Sequence, residues 1–531
     1  MDNAHIALTL ESYAALLDLA GAGHYTIRAY RRAAELVRET RAPVAELVRA
    51  GRARELRGIG PGIERKLQEL VETGRIAELE ELEREVEPQL VALARLLGLS
   101  AQRLVGIGRE LGIRNADELR EAAAAGRLRE VRGIGPETER KILAGLTRER
   151  PRRRRGLLSN RARVLADAVA AELDATVAGE VRRRRDVVFE LAVVTTATDA
   201  LARLESSPIL VTVVEQEPAR AVAVTVEGIP VEVVVAPASA FGTALLRATG
   251  SPEYLASLGE LPDAPTEEEV YARLGRPWVP PELREAPVLE VPRLVELSDI
   301  RGDLHTHTTW SDGKASVLEM AEAARDRGYE YLAICDHTPN VRVVPGLDAD
   351  AVRRQGEEIA AVNEVVAPFR VLRGTECDIR RDGTLDLPDD VLAELDWVQL
   401  SLHAGQREDE EPLTRKVVEA MRHPAVRCLS HPKGRIINHR PPNALRLEAV
   451  IETALETGVA IETNGLPDRV DLRDEEVRRC VEAGVPVVCS TDAHSVRGLG
   501  NMEVAVTTAR RGWATATDVL NTRPLAEILR P

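Results

Sequence analysis

The chain has 531 residues, of which 44% are hydrophobic and 30% are charged, and this composition excludes a mainly disordered or fibrous protein. At about 150 residues per domain, a chain of this length is expected to form three or four domains. The formal net charge of −15 excludes a uniformly basic nucleic-acid coat but leaves room for local basic sites.

Signals for membrane insertion and secretion are missing from the sequence. No apolar run reaches the ~18 residues of a transmembrane helix. The N-terminal segment MDNAHIALTLESYAALLDLAGAG has neither a basic start nor a small-residue cleavage site. The five cysteines form no CxxC pair and suggest no disulfide framework. We therefore expect a cytoplasmic protein, with no membrane contact, that acts as a monomer.

The N-terminal region contains a repeated glycine motif. Apolar residues at helical spacing, such as Leu10, Tyr13 and Leu17, predict helices over residues 1–90. The segment LRGIGPGIERK at 56–66 has a near copy, VRGIGPETERK, at 131–141. Glycines in a tight turn between two helices expose backbone N–H groups, which bind a phosphate oxygen together with the next helix N-terminus. The motif therefore predicts DNA-backbone contacts, with a purely structural turn as the alternative, at Gly58, Gly60, Lys66, Gly133, Gly135 and Lys141.

The middle of the chain changes from helical to β-rich patterns. Residues 148–156, RERPRRRRG, form a basic run broken by proline and predict a linker. A predicted helix follows over 157–175, and a sheet with flanking helices is then predicted from the apolar runs 187–189, 191–195, 209–214, 221–226 and 231–235. A second, proline-rich linker is predicted at 276–292.

Residues 301–531 alternate short apolar strands with helices, which indicates a parallel α/β barrel or open sheet. Strands are expected at 331–334, 370–372, 397–400, 459–461 and 485–489. Histidine, aspartate or glutamate repeatedly follows these strands directly. A barrel places its active site at this end of its strands.

Nine of these polar residues predict a metal centre. Alternate residues on a strand point the same way, so His305 and His307 are expected to face one ion, as are Asp492 and His494. Imidazole and carboxylate ligands suit zinc, manganese or iron, and one carboxylate can bridge two ions. Any one of these residues alone has a structural explanation, but the whole set does not. The set comprises His305, His307, Asp312, His337, Glu376, His403, His431, Asp492 and His494.

Residues 300–531 resemble a PHP (polymerase and histidinol phosphatase) domain through HTHTTWSDG, CDHT, GTECDI, SLH, SHPKGR, IETNG and STDAHS. The resemblance implies a distorted (β/α)7 barrel that holds three divalent ions, Mn²⁺ or Zn²⁺, with Fe²⁺ as a further option. It implies a first ion on His305, His307, Glu376 and Asp492, a second on Glu376, His403 and His431, and a third on Asp312, His337 and His494.

Charged residues beside these ligands are candidates for substrate contacts. Arg435 matches the family pattern and is predicted to bind phosphate as part of the catalytic site. Lys433 is a second candidate, although the family often has a small residue there. A surface-charge role is the alternative for both. Asp378, His423 and His439 lie outside the family ligand set and are interpreted as local polar or surface residues.

The whole chain resembles bacterial family X DNA polymerases. The matching segments include AYRRAAE, GIGPGIERKLQELVETG, APASAFGTALLRATGS and TEEEVYARLGRPWVPPELRE. The resemblance implies a multidomain α plus α/β protein with helix-hairpin-helix regions, a nucleotidyltransferase-like palm and a PHP barrel. The expected regions are an N-terminal helical domain at 1–90, a fingers-like region at 91–155, a palm at 156–245, a shortened thumb and linker at 246–298 and the PHP domain at 299–531.

The palm departs from the family pattern at its catalytic positions. Glu180 replaces the serine that faces the triphosphate, Glu190 and Ala192 replace the first two aspartates, and Glu232 replaces the third. Two-metal nucleotidyl transfer needs carboxylates that bridge both ions, and alanine cannot ligate. We therefore expect that polymerisation is lost. Lys66 aligns with the Schiff-base lysine of lyase members, but Gly62 replaces its basic neighbour, which favours a phosphate contact.

The sequence thus favours a metal-dependent DNA phosphoesterase in DNA repair. The helix-hairpin-helix motifs would hold the backbone of gapped, nicked or damaged DNA. The PHP site would act as a 3′-5′ exonuclease or 3′-end processing enzyme and would cut at abasic sites. The alternatives are a histidinol-phosphatase-like enzyme for small phosphate esters, a non-catalytic DNA-binding protein and a residual polymerase.

Overall fold

A computed structural model describes residues 3–19, 23–40, 43–56, 58–79, 88–146, 156–225, 227–341 and 344–529. The linker predicted at 148–156 lies outside these residues, apart from Gly156. Among the described residues, no helix is both long enough and apolar enough to cross a bilayer.

The N-terminal region is helical, as the apolar spacing predicts. Its helices α1 to α4 are Asn3–Leu19, His24–Glu39, Val44–Arg49 and Pro61–Thr73. Their apolar faces share one core that extends from Ile6 to Leu79. Helix α4 has proline as its first residue and ends at Gly74, whose φ of +78° terminates the helix in the left-handed conformation.

A second helical region packs on the sheet that follows it. Its helices α5 to α8 are Pro88–Leu97, Ala101–Leu111, Ala116–Ala124 and Pro136–Gly145. Their core includes Val214, Val222 and Val224, which belong to the sheet. This shared core fixes the second glycine hairpin relative to the middle of the molecule.

The middle region contains a five-stranded mixed sheet. Strands β1 to β7 are Leu157–Leu158, Ala175–Ala178, Val187–Val188, Leu191–Thr195, Leu210–Glu217, Arg220–Thr225 and Pro230–Val235. The sheet has the order β2-β4-β7-β6-β5, in which only β4 and β7 pair in parallel. Helices α9 to α11 are Ser159–Glu172, Gly179–Arg182 and Ala200–Arg203.

Three helices lead from this sheet towards the barrel: α12 to α14, at Phe241–Thr249, Pro252–Leu258 and Glu267–Leu274. The proline-rich segment 276–292 is irregular apart from one helical turn at Pro281–Leu283. It is not an exposed tether throughout, because Val279 and Arg284 are buried in it.

The C-terminal region is a nearly closed parallel barrel, which confirms the predicted α/β architecture. Strands β8 to β14 are Gly302–Thr306, Tyr331–Ile334, Arg370–Asp378, Trp397–Ser401, Val426–Leu429, Ala460–Asn464 and Val487–Ser490. They pair in sequence order, and a parallel bridge between Thr306 and Ala493 joins the two ends. Helices α15 to α22 are Val317–Arg325, Ala349–Val366, Asp389–Leu392, Glu410–Met421, Leu447–Thr457, Asp474–Ala483, Met502–Arg511 and Leu525–Ile528.

Candidate metal centre

The barrel brings the nine predicted ligands together at the C-terminal ends of its strands. His305 lies in β8 and Glu376 in β10, whereas the others follow their strands by a few residues. Three groups of their ligand atoms are close enough to hold a metal ion. The groups are His305, His307 and Asp492; His307, Asp312, His337 and His494; and His337, Glu376 and His403.

Glu376 lies at the centre of this cluster. Its Oε1 is 2.9 Å from His431 Nε2 and 3.6 Å from His403 Nε2. Its Oε2 is 2.8 Å from His337 Nδ1 and 3.6 Å from His305 Nε2. Each carboxylate oxygen therefore faces a different subset of histidines, which is the arrangement that a bridging ligand requires.

His305 and His307 converge, with their Nε2 atoms 3.2 Å apart. The expectation that Asp492 and His494 also alternate along a strand is wrong. Strand β14 ends at Ser490, and Asp492 has a left-handed φ of +51°. The turn aims Asp492 Oδ1 at His307 Nε2, at 3.0 Å, while His494 Nε2 lies 3.2 Å from Asp312 Oδ2.

Burial and mutual proximity set the charges of these groups. Burial lowers the pKa of His307, and the nearby His494 and His337 lower it further, to about 3. Burial raises the pKa of Glu376 and Asp492, but the surrounding histidines outweigh it and hold both values well below normal. A neutral imidazole beside two anionic carboxylates offers the ligand atoms that a divalent ion needs.

The donor set fits divalent metal ions on a structural ground as well. Glu376 Oε2 and the Nδ1 atoms of His307 and His431 are buried, and none has a hydrogen-bond partner among the described residues. Buried carboxylates are stable only when they are paired or coordinate a metal. A cluster of six histidines and three carboxylates suits zinc, manganese or iron.

A buried carboxylate that our sequence analysis left unassigned, Glu462 in β13, orients the ligands. Its Oε1 lies 2.6 Å from His305 Nδ1 and 2.9 Å from Gln399 Nε2, and its Oε2 accepts a hydrogen bond from the His431 backbone N–H at 2.6 Å. A carboxylate behind a ligating histidine fixes its tautomer and directs the other nitrogen to the metal. The IETNG motif, which contains Glu462, was the sequence feature from which this role could have been predicted.

Asp378 is not a surface residue, which was one of the two interpretations that the sequence left open. It is fully buried, and its Oδ1 accepts a hydrogen bond from the His403 backbone N–H at 2.9 Å. It therefore supports a ligand-bearing loop. His439 is exposed, as expected, and His423 is partly exposed, with its Nε2 3.6 Å from Asp389 Oδ1.

Arg435 and Lys433, for which we predicted phosphate contacts, both have protein partners in the structure. Arg435 donates from Nε and Nη2 to the Val470 carbonyl and pairs through Nη2 with Asp186 of the middle region. Lys433 Nζ donates to the Leu445 carbonyl. Both cations are engaged by protein groups, because the loop after β12 packs against neighbouring segments.

The two glycine hairpins differ in the surroundings of their lysines. Lys66 Nζ pairs with Glu69 at 3.2 Å and Glu78 at 3.0 Å, and its side chain is 20% exposed. Lys141 is exposed. Of these two lysines, only Lys141 is exposed and, among the described residues, outside an ion pair.

In the middle region, Ala192 on β4 is the register partner of Glu232 on β7. Ala192 packs in an apolar cluster, and Glu232 Oε1 lies 2.5 Å from Arg220 Nε. Glu180 Oε2 accepts a hydrogen bond from the Phe189 backbone N–H at 2.6 Å. At these positions Ala192 thus offers only a methyl group and the Glu232 carboxylate is paired with a guanidinium, while Glu190 lies just before β4.

Comparison with known proteins identifies two domains and a relative that matches the whole chain. A helix-hairpin-helix domain matches residues 1–76, and a PHP domain matches residues 303–460. The DNA polymerase/3'-5' exonuclease PolX of Bacillus subtilis strain 168 is 33% identical, with 99% of each chain covered. This chain belongs to the PolX family of bacterial family X DNA polymerases. The barrel is therefore its PHP domain, and the middle region lies between the two matched domains.

This PolX family member also resembles shorter proteins over part of its length. A probable phosphatase of Acetivibrio thermocellus is 32% identical over 36% of this chain and 78% of its own length. A probable phosphatase of Thermoanaerobacter sp. strain X514 is 29% identical over 41% of this chain and 89% of its own length.

Proposed function

We propose that this protein is a metal-dependent DNA phosphoesterase that removes nucleotides or blocking groups from 3′ ends. The convergence of nine ligand-type side chains around Glu376 carries the proposal. In this proposal Glu376 joins two groups of ligands. One group comprises His305, His307 and Asp492, and the other comprises His403 and His431. A further group comprises Asp312, His337 and His494.

These residues would hold divalent ions, which when bound would acidify a water molecule and offset the negative charge of a phosphate. The protein's own part is to hold the ligands in place. Glu462 orients His305, and Asp378 fixes the backbone at His403. Burial of His307 keeps its ring neutral, so that its nitrogen lone pair stays available.

The glycine hairpins support DNA as the substrate. A Cβ at Gly60, Gly133 or Gly135 would meet no atom within 4 Å. Gly60 and Gly135 have φ of −87° and −94°, which any residue adopts. The fold itself therefore does not require glycine at these two positions. Glycine at these positions instead lets an external group approach the backbone closely. A phosphate backbone at the N-termini of α4 and α8 is such a group.

We propose further that the palm no longer polymerises. Ala192 offers no ligand atom, and the Glu232 carboxylate is neutralised by Arg220. The palm then serves as a scaffold between the DNA-holding hairpins and the PHP domain. We further propose that this activity serves DNA repair and includes cleavage at abasic sites.

A single gel tests these proposals. The protein is incubated with a 5′-labelled primer–template and Mn²⁺, with and without nucleotides, beside the double variant His305→Ala/His307→Ala. We expect the primer to shorten from its 3′ end with the wild type and to stay intact with the variant. Undigested DNA would refute the nuclease proposal, and templated extension would refute the loss of polymerisation.

A small phosphate monoester is the second candidate substrate. The similarity of part of this chain to probable phosphatases favours it. Histidinol phosphate is the probe, with phosphate release as the readout. Rapid turnover of histidinol phosphate without any digestion of DNA would decide for this candidate.

A further inference from the structure

The basic turn beside the degenerate palm site contacts the PHP domain. Residues 182–186 read Arg-Arg-Arg-Arg-Asp. Arg184 Nη1 lies 2.9 Å from Glu503 of α21, and Asp186 Oδ2 lies 2.7 Å from Arg435 Nη2. Arg184 and Asp186 of this turn therefore form ion pairs with the barrel, and we call these two ion pairs the interdomain joint.

Arg435 links this joint to two loops of the barrel. It lies in the loop 431–440, which begins with the candidate ligand His431. Its Nε and Nη2 donate to the Val470 carbonyl at 3.0 and 2.6 Å. Val470 belongs to the loop 465–472, which follows β13. The two loops are also joined by a hydrogen bond of 2.7 Å from the Ile437 N–H to the Asp468 carbonyl.

The loop 465–472 is held in an unfavourable conformation. Val470 is buried and has a φ of +47°. The left-handed region is strongly disfavoured for a β-branched residue. Such a conformation persists only when the surroundings over-determine it. Two guanidinium donors on the Val470 carbonyl, themselves anchored by Asp186, supply part of that constraint.

The residue before Val470 reaches the candidate metal centre. Arg469 Nε lies 3.9 Å from Asp492 Oδ2, and 21% of the Arg469 side chain is exposed. A guanidinium is always charged, and its planar fork of donors matches a phosphate. Arg435 and Lys433, in contrast, donate to the backbone carbonyls of Val470 and Leu445.

We infer that Asp186 is a positioning residue of the phosphoesterase site. Through Arg435 it holds the loop 465–472 so that Arg469 stays beside Asp492 and binds a phosphate oxygen of the substrate. This inference rests on the proposed function. The remnant of the nucleotide-binding turn then serves hydrolysis in the neighbouring domain.

The test uses the full-length protein in the variants Asp186→Asn, Arg435→Gln and their combination. We expect Asp186→Asn to lower kcat/KM for Mn²⁺-dependent digestion of a labelled oligonucleotide roughly 10- to 100-fold, because small misplacements have effects of this size. Bound Mn²⁺ should stay at the wild-type level. The double variant should be no slower than Arg435→Gln, because the two residues act in series. Arg469→Gln should lower kcat/KM at least as much as Asp186→Asn.

Hydrogen exchange of the metal-free protein gives a readout that does not depend on activity. Peptides covering 465–472 should exchange faster in Asp186→Asn than in the wild type, and Asp186→Glu should restore the wild-type rate. Glu503→Gln is the matched control, because it breaks the Arg184 pair at the same joint without touching the two loops. It should leave both kcat/KM and the exchange at 465–472 unchanged.

Three results would overturn the inference. An active wild type beside an unaffected Asp186→Asn variant would overturn this inference alone. Equal losses in Asp186→Asn and Glu503→Gln would assign the effect to general docking of the domains. An inactive wild type would overturn the proposed function and, with it, the catalytic role of Asp186.

Discussion

At the scale of single residues, the environment of each charged group decides its role. Glu462 and Glu376 are both buried glutamates on barrel strands. Glu376 is surrounded by histidine nitrogens, whereas Glu462 accepts hydrogen bonds from groups behind the ligands. The first is therefore placed to bind metal and the second to orient the residues that do.

Replacing Glu462 with glutamine tests this difference. Glutamine keeps the shape but removes the charge that fixes the His305 tautomer. We expect metal affinity or kcat to fall about 10- to 100-fold, the usual effect of losing such a partner. Metal analysis after dialysis and initial rates on labelled DNA measure the two quantities.

The matched control is Glu456→Gln. Glu456 pairs with Arg422 at the exposed surface, with 59% of the Glu456 side chain accessible. This change should leave metal content and rate at wild-type levels. A Glu462→Gln variant that behaved like Glu456→Gln would contradict the orienting role.

Lys66 and Lys141 occupy the same motif position in different surroundings. Lys141→Gln should weaken DNA binding and reduce the slope of log K against log salt by about 1, as expected for one lost phosphate contact. Lys66→Gln should leave that slope unchanged and destabilise the N-terminal helices, because Glu69 and Glu78 lose their partner. Fluorescence anisotropy at several salt concentrations measures the slopes. A loss of slope in Lys66→Gln would show that Lys66 leaves its ion pairs to bind DNA.

At the scale of elements, a buried ion pair joins the middle region to the helices before the barrel. Glu267 at the start of α14 accepts hydrogen bonds from Arg182 of α10 at 2.7 Å and from the fully buried Arg284 at 2.6 Å. Burial raises the pKa of Glu267, but the two guanidinium groups outweigh it and lower the pKa below its ordinary value. The carboxylate therefore stays charged in the folded protein.

Glu267→Gln should lower the free energy of unfolding of this region by about 3–5 kcal/mol, because it leaves buried guanidinium groups without their anion. The pH dependence follows from the lowered pKa. The pair stabilises the fold fully above the unfolded pKa of about 4.3, and its contribution is lost as pH falls through the folded value. Calorimetry from pH 7 to pH 3 measures both effects. The variant's unfolding transition should therefore depend less on pH between about 5 and 3 than that of the wild type; equal dependence would contradict the role of Glu267.

At the scale of the whole molecule, the glycine hairpins and the candidate metal ligands lie in different regions. The hairpins belong to the N-terminal helical regions, and the candidate ligands all belong to the barrel. The middle region connects the two through a shared core with α5 to α8 and through the joint at Asp186. This division predicts that binding and cleavage can be separated.

Removal of metal ions by a chelator should abolish cleavage and leave DNA affinity within about twofold, since backbone contacts by amides and lysine need no metal. It should also lower the unfolding temperature of the barrel, because a ligand at 100 times its Kd stabilises the folded state by about 2.7 kcal/mol. Calorimetry and anisotropy on the same chelated sample measure these outcomes. A parallel loss of DNA affinity would contradict the separation.

The sequence by itself determined many of the regular elements and the set of candidate ligands. Apolar runs located β4 at Leu191–Thr195 and β9 at Tyr331–Ile334, because a buried strand needs a continuous apolar segment. Strand β12, Val426–Leu429, gave no such run because Arg427 interrupts it. The ligands were predictable because a barrel places residues that follow its strands at one end.

Only the tertiary structure decided what the other charged residues do. Arg435 stands beside a ligand motif, but its carboxylate partner, Asp186, is 249 residues away in the chain. Glu462 and the His305 that it orients are separated by 157 residues. Lys66 and Lys141 share a motif, and the fold alone brings Glu78 to Lys66. A local pattern fixes which groups are present, whereas the partner that determines the charge, orientation and accessibility of each group comes from distant parts of the chain.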